Sequence, residues 1–326
     1  DQAFTYDQAL AVISFSYFSD YGPAKKILDF YLTKAKQSGG FYNGYYVSTG
    51  DVSEFVIHSG PNLWLGIAVL QYTKMSGDNK YLAIARDIAR WTLKLQNEDR
   101  DAGLRGGPDT RWYSTEHNLD GFAFFNMFHQ IKEEPLYRKA SEKLLAWLAA
   151  HAYDSPQVPI KRGRVDATIA TDTYAWSIAS LGPDRLAQMD MDSEAIMKFA
   201  EDNCAVAVEY TRPSGENIKV KGFDFAKQMH SARGGVISCE WTAQMILSYK
   251  ILSRYFADKG DALKEKLYYD KAAQYLEELS KMIIASPSRT GQGEGCLPYA
   301  SSDFMDTGHG WMTPKGKNTG SLSATV

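Results

Sequence analysis

Two kinds of apolar pattern alternate along the chain. In "TYDQALAVISFSYF", "GPNLWLGIAVLQYT", "TEHNLDGFAFFNMF", "TDTYAWSIASLG" and "CEWTAQMILSYKIL", apolar or small residues occur nearly all round a helical wheel, as expected for helices buried on every side. A sixth start, "GSLSATV", stands at the end of the sequence. Between these lie "PAKKILDFYLTKAKQ", "NKYLAIARDIARWTLKLQ", "PLYRKASEKLLAWLAAH", "DSEAIMKFAEDNCAVAVEY" and "YYDKAAQYLEELSKMI". These repeat apolar residues at three–four spacing with Lys, Arg and Glu opposite, the pattern of one-sided burial. The first set predicts inner helices, the second outer ones. The first three inner starts fall about 55 residues apart and the later intervals lengthen, so insertions are expected in the second half.

The connections are unequal. Inner-to-outer links such as "SDYG", "SGD" and "KEE" are short, with a longer "GPDRLAQMDM" in the fourth repeat. Outer-to-inner links are long and rich in Gly, aromatics and polar residues: "SGGFYNGYYVSTGDVSEFVIHS", "NEDRDAGLRGGPDTRWYS", "DSPQVPIKRGRVDATIA", "TRPSGENIKVKGFDFAKQMHSARGGVIS" and Ser286 through Thr319. Long ordered loops commonly carry function, so the working face is expected at the inner-helix N-termini. Closing the repeats into a ring would remove the exposed ends that an open stack must cap.

On this architecture, with carboxylates at the inner-helix starts, the chain resembles the six-hairpin glycosidases, whose fold is the all-α (α/α)6 toroid. The resemblance covers nearly the whole length and implies one catalytic domain, 1–326. Five full hairpins are visible, so the last is expected to be incomplete. The family's chemistry implies paired acids, one protonating the leaving oxygen, the other activating water or attacking the sugar.

Composition narrows the partners. The 326 residues are 44% hydrophobic, enough for a large core. With 36 basic and 39 acidic residues and no long run of either sign, nothing points to nucleic acid or an anionic membrane. No apolar run approaches the ~20 residues of a membrane span. The opening "DQAFTYDQAL" lacks the pattern of a signal peptide, so any such peptide is expected to have been removed. No glycine-rich phosphate loop or DDxxD cluster is present, and no redox cofactor is expected. A polymeric substrate favours a secreted or periplasmic location. Cys204, Cys239 and Cys296 form no CxxC knuckle, and only Cys239, Cys296 and His309 are conceivable zinc ligands, widely separated. Asp303 and Asp306 lie in an acidic loop without an EF-hand pattern. No metal is expected.

The densest chemistry lies in "RWYSTEHNLDGFAFF". Ser114 or Thr115 caps a helix there, which places Glu116 in its first turn and Asp120 one turn later. Glu116 is the preferred general acid, since Trp112 and Tyr113 beside it would desolvate its carboxyl and raise its pKa. The plain alternative is that Glu116 complements the helix dipole. Asp172, in "IATDTYAW", is the preferred base or nucleophile, with Thr171 and Thr173 offering hydrogen bonds to the ionised form. Asp7 follows closely, although Thr5 and Gln8 also read as a capping box. A ring would turn these acids toward a shared cavity.

Glu240 either lines the cleft or complements a helix capped by Ser238. Asp120 orients His117, binds a hydroxyl, or faces solvent. Trp64, Trp112, Tyr113, Trp176, Trp241 and Trp311, with Tyr45 and Tyr46, are candidate stacking platforms for an uncharged glucan-like chain, and Asn62 is a candidate sugar contact. Trp91 and Trp147 belong to ordinary packing. Arg105, Arg162 and Arg164 would grip an acidic sugar or simply sit in solvent.

Two other functions stay open. His58 and His117, at adjacent inner-helix starts, fit the acid/base pair of a sugar 2-epimerase, a class built on related helical barrels. A carbohydrate-binding protein without catalysis would keep the aromatic groove and need no acid pair.

Overall fold

A computed structural model of the chain describes residues 1–34, 39–153, 158–227, 232, 234–285, 294–314 and 319–325. Its contacts divide into two units, Asp1–Ala152 and Tyr153–Thr325.

The first unit holds three helical hairpins. Strand β1 (Gln2–Phe4) leads into α1 (Thr5–Tyr17), which turns back as α2 (Tyr21–Thr33). Strands β2 (Gly44–Tyr46) and β3 (Val52–Glu54) follow, then α3 (Ser59–Ser76) with α4 (Leu82–Asn97), and α5 (Thr115–Lys132) with α6 (Pro135–His151). The inner helices α1, α3 and α5 pack side by side, each backed by its own outer helix. Burial follows the patterns: α3 and α5 are enclosed on most faces, whereas α4 buries one stripe, including Ile84, Ile88, Trp91 and Leu95. In α1, burial is confined to Thr5, Ala9, Ala11, Val12 and Ser16, so the expectation of enclosure on every side does not hold for this helix. Gly66 lets α3 and α5 approach closely, because a Cβ there would stand 2.5 Å from the Phe124 ring. Strands β2 and β3, in the first long loop, form a small antiparallel sheet with β1 from before α1.

The second unit comprises α7 (Thr171–Leu181), α8 (Pro183–Gln188), α9 (Ser193–Cys204), β4 (Ala205–Thr211), β5 (Asn217–Phe223), α10 (Cys239–Asp258), α11 (Ala262–Ser280) and α12 (Leu322–Thr325). Helix α10 packs on α7 and α11. Two expectations are corrected here. The outer helix expected to run through "AVAVEY" stops at Cys204, and that stretch pairs with β5 from Ala205↔Phe223 to Thr211↔Asn217. Alternating β-branched residues before the turn-forming "RPSGE" favour a hairpin over helix. The fourth inner-to-outer link also carries a short helix, α8, begun by Pro183.

A hydrogen-bond rule recurs at the inner-helix starts and positions everything at that end. The first N–H groups of a helix lack intrahelical acceptors and must find others. The first-residue N–H of α1 donates to Asn43 O (2.7 Å), that of α3 to Gly106 O (2.8 Å), that of α7 to Phe225 O (3.2 Å) and that of α10 to Tyr299 O (3.2 Å). Hydroxyls at the same position repeat the stitch: Thr5 donates to Tyr42 O, Ser59 to Arg105 O and Thr171 to Asp224 O. These four inner helices are thus each tied to the loop beyond the next outer helix.

Three residues on, a side chain clamps the loop before its own helix. Asn62 accepts from Phe41 N–H (2.7 Å) and donates to Phe41 O (3.0 Å) and His58 O (2.8 Å). Asn118 does the same with Leu104 N–H, Leu104 O and Ser114 O. Thr242 accepts from Phe223 N–H and donates to Ser238 O.

Candidate functional site

In the first unit the stitches draw the starts of α1, α3 and α5 to one end. Asn43, whose carbonyl receives the first N–H of α1, also uses its side chain on His58, the residue before α3. Ser59, the first residue of α3, reaches the His117 ring on α5 at 2.8 Å. Asp7 therefore shares this end of the layer with His58, Glu116 and His117.

Asp7 is half-buried. Burial pushes its carboxyl up to about 6, and among the described residues no hydrogen bond or cation offsets it. An acid in that range keeps its proton to mildly acidic pH, well above an ordinary carboxyl, the state a proton donor needs. The capping box read at Thr5 and Gln8 is not formed. The residue before α1 makes no side-chain cap, and Thr5 is occupied with Tyr42 O and the Tyr31 hydroxyl.

Glu116 is half-buried in the first turn of α5, after the expected Ser114 cap, whose hydroxyl accepts from His117 N–H (3.0 Å). The two aromatics expected beside Glu116 have ring partners of their own. Trp112 lies against the His58 and His117 rings, at centroid distances of 5.7 and 5.2 Å. Tyr113 is half-buried and stacks on Trp147.

His117 is only 9% exposed, and burial, aided by the neighbouring His58, pushes its pKa down to about 3. His58 is half-buried and lowered by burial as well. Both rings are neutral at pH 7. Gly60 is required beside them, because a Cβ there would fall 2.5 Å from His117 Nε2.

Other residues picked out in this unit sit as follows. Trp112 is 47% exposed, an open aromatic face beside His58 and His117. Trp64 is half-buried and meets Tyr6 edge-on at 5.5 Å. Asn62 and Asp120 have no accessible surface, and the amide of Asn62 is spent on the loop clamp. Tyr45, expected as a platform, is buried against Phe30 and Tyr31, and its hydroxyl accepts from Tyr42 N–H. Tyr46, its neighbour, is 45% exposed. Arg105 pairs with Glu98 at 2.5 Å.

The second unit carries its own buried acid. Asp172, in the first turn of α7, is 4% exposed. Its Oδ1 accepts from Thr173 N–H (2.7 Å) and the Thr173 hydroxyl (3.3 Å), whereas Thr171 donates to Asp224 O instead. Burial outweighs these bonds and raises the pKa, with His309 and Arg162 opposing. The Thr173 bonds favour the ionised form as expected, whereas Thr171 supplies none and burial dominates.

His309 has both ring nitrogens committed. Arg162 donates to Nδ1 (2.6 Å), so Nε2 carries the proton and donates to Phe225 O (3.4 Å). Burial, opposed by the Asp172 charge, lowers its pKa. Arg162 is also bound to Asp166 through two of its nitrogens, so it is not a loose loop charge.

Around His309 lie Trp241 at 4.9 Å and Trp311 at 5.4 Å. Trp241 is buried against Phe225, while Trp311 is 44% exposed and bonded through Nε1 to the Tyr299 hydroxyl. Trp176, in the second turn of α7, and Glu240, in the first turn of α10, are half-buried. Cys239 lies against Met282 rather than in a ligand set. Among the described residues no group of three or more His, Cys, Asp and Glu is arranged to hold a metal ion.

Sequence reading alone missed Asn43, Ser59, Asn118 and Asp224. Aligning "HSGPN" with "STEHN" exposes Asn118 as the counterpart of Asn62. Nothing in "FYNGYY" marks Asn43.

The fold is of the (α/α)6 class, shared with the solved structures that the chain matches. Across 99% of its length the chain matches the cellobiose 2-epimerase of Spirochaeta thermophila, with 14% identity, a TM-score of 0.63 and 84% of that chain covered. It likewise matches a sugar epimerase from a ruminal bacterium, at 14% identity and TM-score 0.62 over 99% of this chain and 85% of that one. The GH76 alpha-mannanase of Bacteroides thetaiotaomicron matches at 12% identity and TM-score 0.59 over 99% and 84%. No protein-family model and no curated protein sequence matches the chain.

Proposed function

We propose that the chain is a carbohydrate-active enzyme, and specifically a glycoside hydrolase acting on an uncharged oligo- or polysaccharide. The observation that carries the reading is the pair of half-buried acids, Asp7 and Glu116, in the first turns of two inner helices that share one end of the α1–α3–α5 layer. At the same end, the exposed face of Trp112, packed against His58 and His117, offers a surface on which a sugar ring stacks.

An acetal leaves only when its oxygen is protonated, and the oxocarbenium-like transition state then needs negative charge or a nucleophile. Asp7, whose burial raises its carboxyl to about 6 so that it keeps its proton to mildly acidic pH, is the proposed donor. Glu116 is the proposed carboxylate partner, which reverses its expected role. Asp172 is a further candidate acid in the second unit, to be read by its own variant. Neighbours of the same fold include hydrolases and epimerases of sugars, which supports the substrate class and leaves the reaction to the site. A polymeric substrate supports a secreted or periplasmic location.

A sugar epimerase is the second reading, favoured by His58 and His117 sharing Trp112. Against it stands the low pKa of His117: a base drawing a proton from carbon works best with a pKa near the operating pH.

Release of reducing ends from neutral glycans tests the proposal, with wild type compared with Asp7→Asn, Glu116→Gln and Asp172→Asn. Hydrolysis by this pair lowers the rate by about 10²- to 10⁴-fold in the first two variants with folding intact. Conversion of a reducing-end sugar to its epimer without cleavage would establish the second reading. Full activity in Asp7→Asn would remove that residue from the mechanism.

A further inference from the structure

The hydrogen bonds around His58 and His117 fix the tautomer of each ring. The backbone N–H of His58 donates to Asn43 Oδ1 at 3.0 Å, which orients that amide. Its Nδ2 therefore faces His58 Nδ1 at 3.0 Å and donates to it. His58 must carry its proton on Nε2.

The second ring is set the opposite way. Ser59 has one hydroxyl proton, and it goes to Arg105 O at 2.8 Å. The 2.8 Å contact between Ser59 Oγ and His117 Nδ1 then requires the ring to donate. His117 carries its proton on Nδ1, and Nε2 is a bare acceptor. Among the described residues, neither Nε2 has a hydrogen-bond partner in the protein. Both rings lie against Trp112.

We propose that His58 Nε2–H and His117 Nε2 form a matched donor and acceptor for one neutral sugar hydroxyl, held beside the Trp112 ring. A hydroxyl accepts one hydrogen bond and donates another, so it satisfies both nitrogens at once. A carboxylate has no proton for His117 Nε2, and an ammonium has no lone pair for His58 Nε2–H. The arrangement selects a polyol over either charged ligand. The depressed pKa values of both rings keep the pair neutral and its polarity fixed. Asn43, Ser59 and Arg105 act as positioning residues. The inference rests on the carbohydrate reading above, but not on which bond the enzyme breaks.

Two measurements on the full chain test it. Nitrogen-15 spectra of histidine-labelled protein at neutral pH are expected to show His58 protonated on Nε2 and His117 on Nδ1; the reverse assignment for either ring overturns the proposal. Methyl glycosides of glucose, mannose and galactose, with their monodeoxy analogues, are then titrated while both imidazole signals are followed. One parent glycoside is expected to shift both rings, and one deoxy analogue to bind about 10- to 100-fold more weakly, since its absence leaves two site groups unpaired. His117→Asn retains a donor for Ser59 and removes the acceptor, so parent and deoxy sugar should then bind alike. Discrimination that persists in this variant, or a panel that moves neither ring, overturns the proposal. Failure here, together with reducing-end release that Asp7→Asn abolishes, would leave hydrolysis standing. Success with epimer formation would do the converse.

Discussion

Replacing Asp7 by Asn should stabilise the protein while disabling it. The wild-type carboxyl goes from an ordinary 3.8 to about 6 on folding, and burial is the cause. The folded state therefore binds the proton more tightly than the unfolded chain. Stability is highest below the unfolded pKa and is lost as pH rises through the window from about 4 to about 6. The full shift corresponds to about 3 kcal/mol. The carboxyl is only half-buried, so solvent reduces the cost to about 1–2 kcal/mol. Asn fills nearly the same volume and has no charge to desolvate. For a chain of this length the gain is a rise in melting temperature of about 2–3 °C above neutrality, vanishing near pH 4. Thermal unfolding of both proteins across that range, followed by circular dichroism, measures it. The buried His117 titrates with the opposite sign, but it is common to both proteins and cancels in the difference. A destabilised Asn variant, or a difference that does not change with pH, would refute the view of Asp7 as an uncompensated buried acid.

Three further outcomes follow from the packing. Asn62→Ala leaves the Phe41 N–H buried without its acceptor and should cost about 2–4 kcal/mol in urea unfolding; a cost near zero would contradict the clamp. Gly66→Ala places a methyl 2.5 Å from the Phe124 ring and should destabilise by about 1–3 kcal/mol, although Ala is the better helix former; a stabilised variant would show that the α3–α5 contact yields easily. Of the three thiols, Cys204 is buried and pushed up to about 11, Cys239 is buried and raised further, and Cys296 is partly exposed. An aromatic disulfide reagent should modify Cys296 first in the folded protein and all three after unfolding, and early loss of Cys204 would contradict its burial.

How much of this was legible in the sequence depends on range. The helices were readable because their cause is local: the all-round apolar wheels of α3 and α5 and the one-sided stripe of α4 are properties of single segments. Ser114 and Ser238 were readable as caps for the same reason. The hairpin of β4 and β5 was misread because "CAVAVEY" continues a helical stripe and only its partner strand decides the outcome. The site was legible as a set of residue types and not as a set of neighbours. Trp112 follows Arg111 and precedes Tyr113, yet its ring packs on His58, more than fifty residues earlier. Tyr45 looked like a platform because an aromatic loop residue looks the same whether it faces out or lies against Phe30.

The loop clamps explain why so polar an end tolerates such mixed residues. Every inner-helix start must satisfy its own free N–H groups and fix a long loop whose backbone polar groups are also buried. Asn62, Asn118 and Thr242 do this from the fourth helical position, and Thr5, Ser59 and Thr171 from the first. The second position is where Glu116, Asp172 and Glu240 stand. Asp7 takes the third position, the place His117 holds in α5. One residue is about 100° around the helix, so Asp7 and Glu116 leave their helices in different directions. A scaffold in which two fixed positions carry the architecture can vary the rest, and the proposed acids Asp7 and Glu116 stand at the third and second residues of their inner helices.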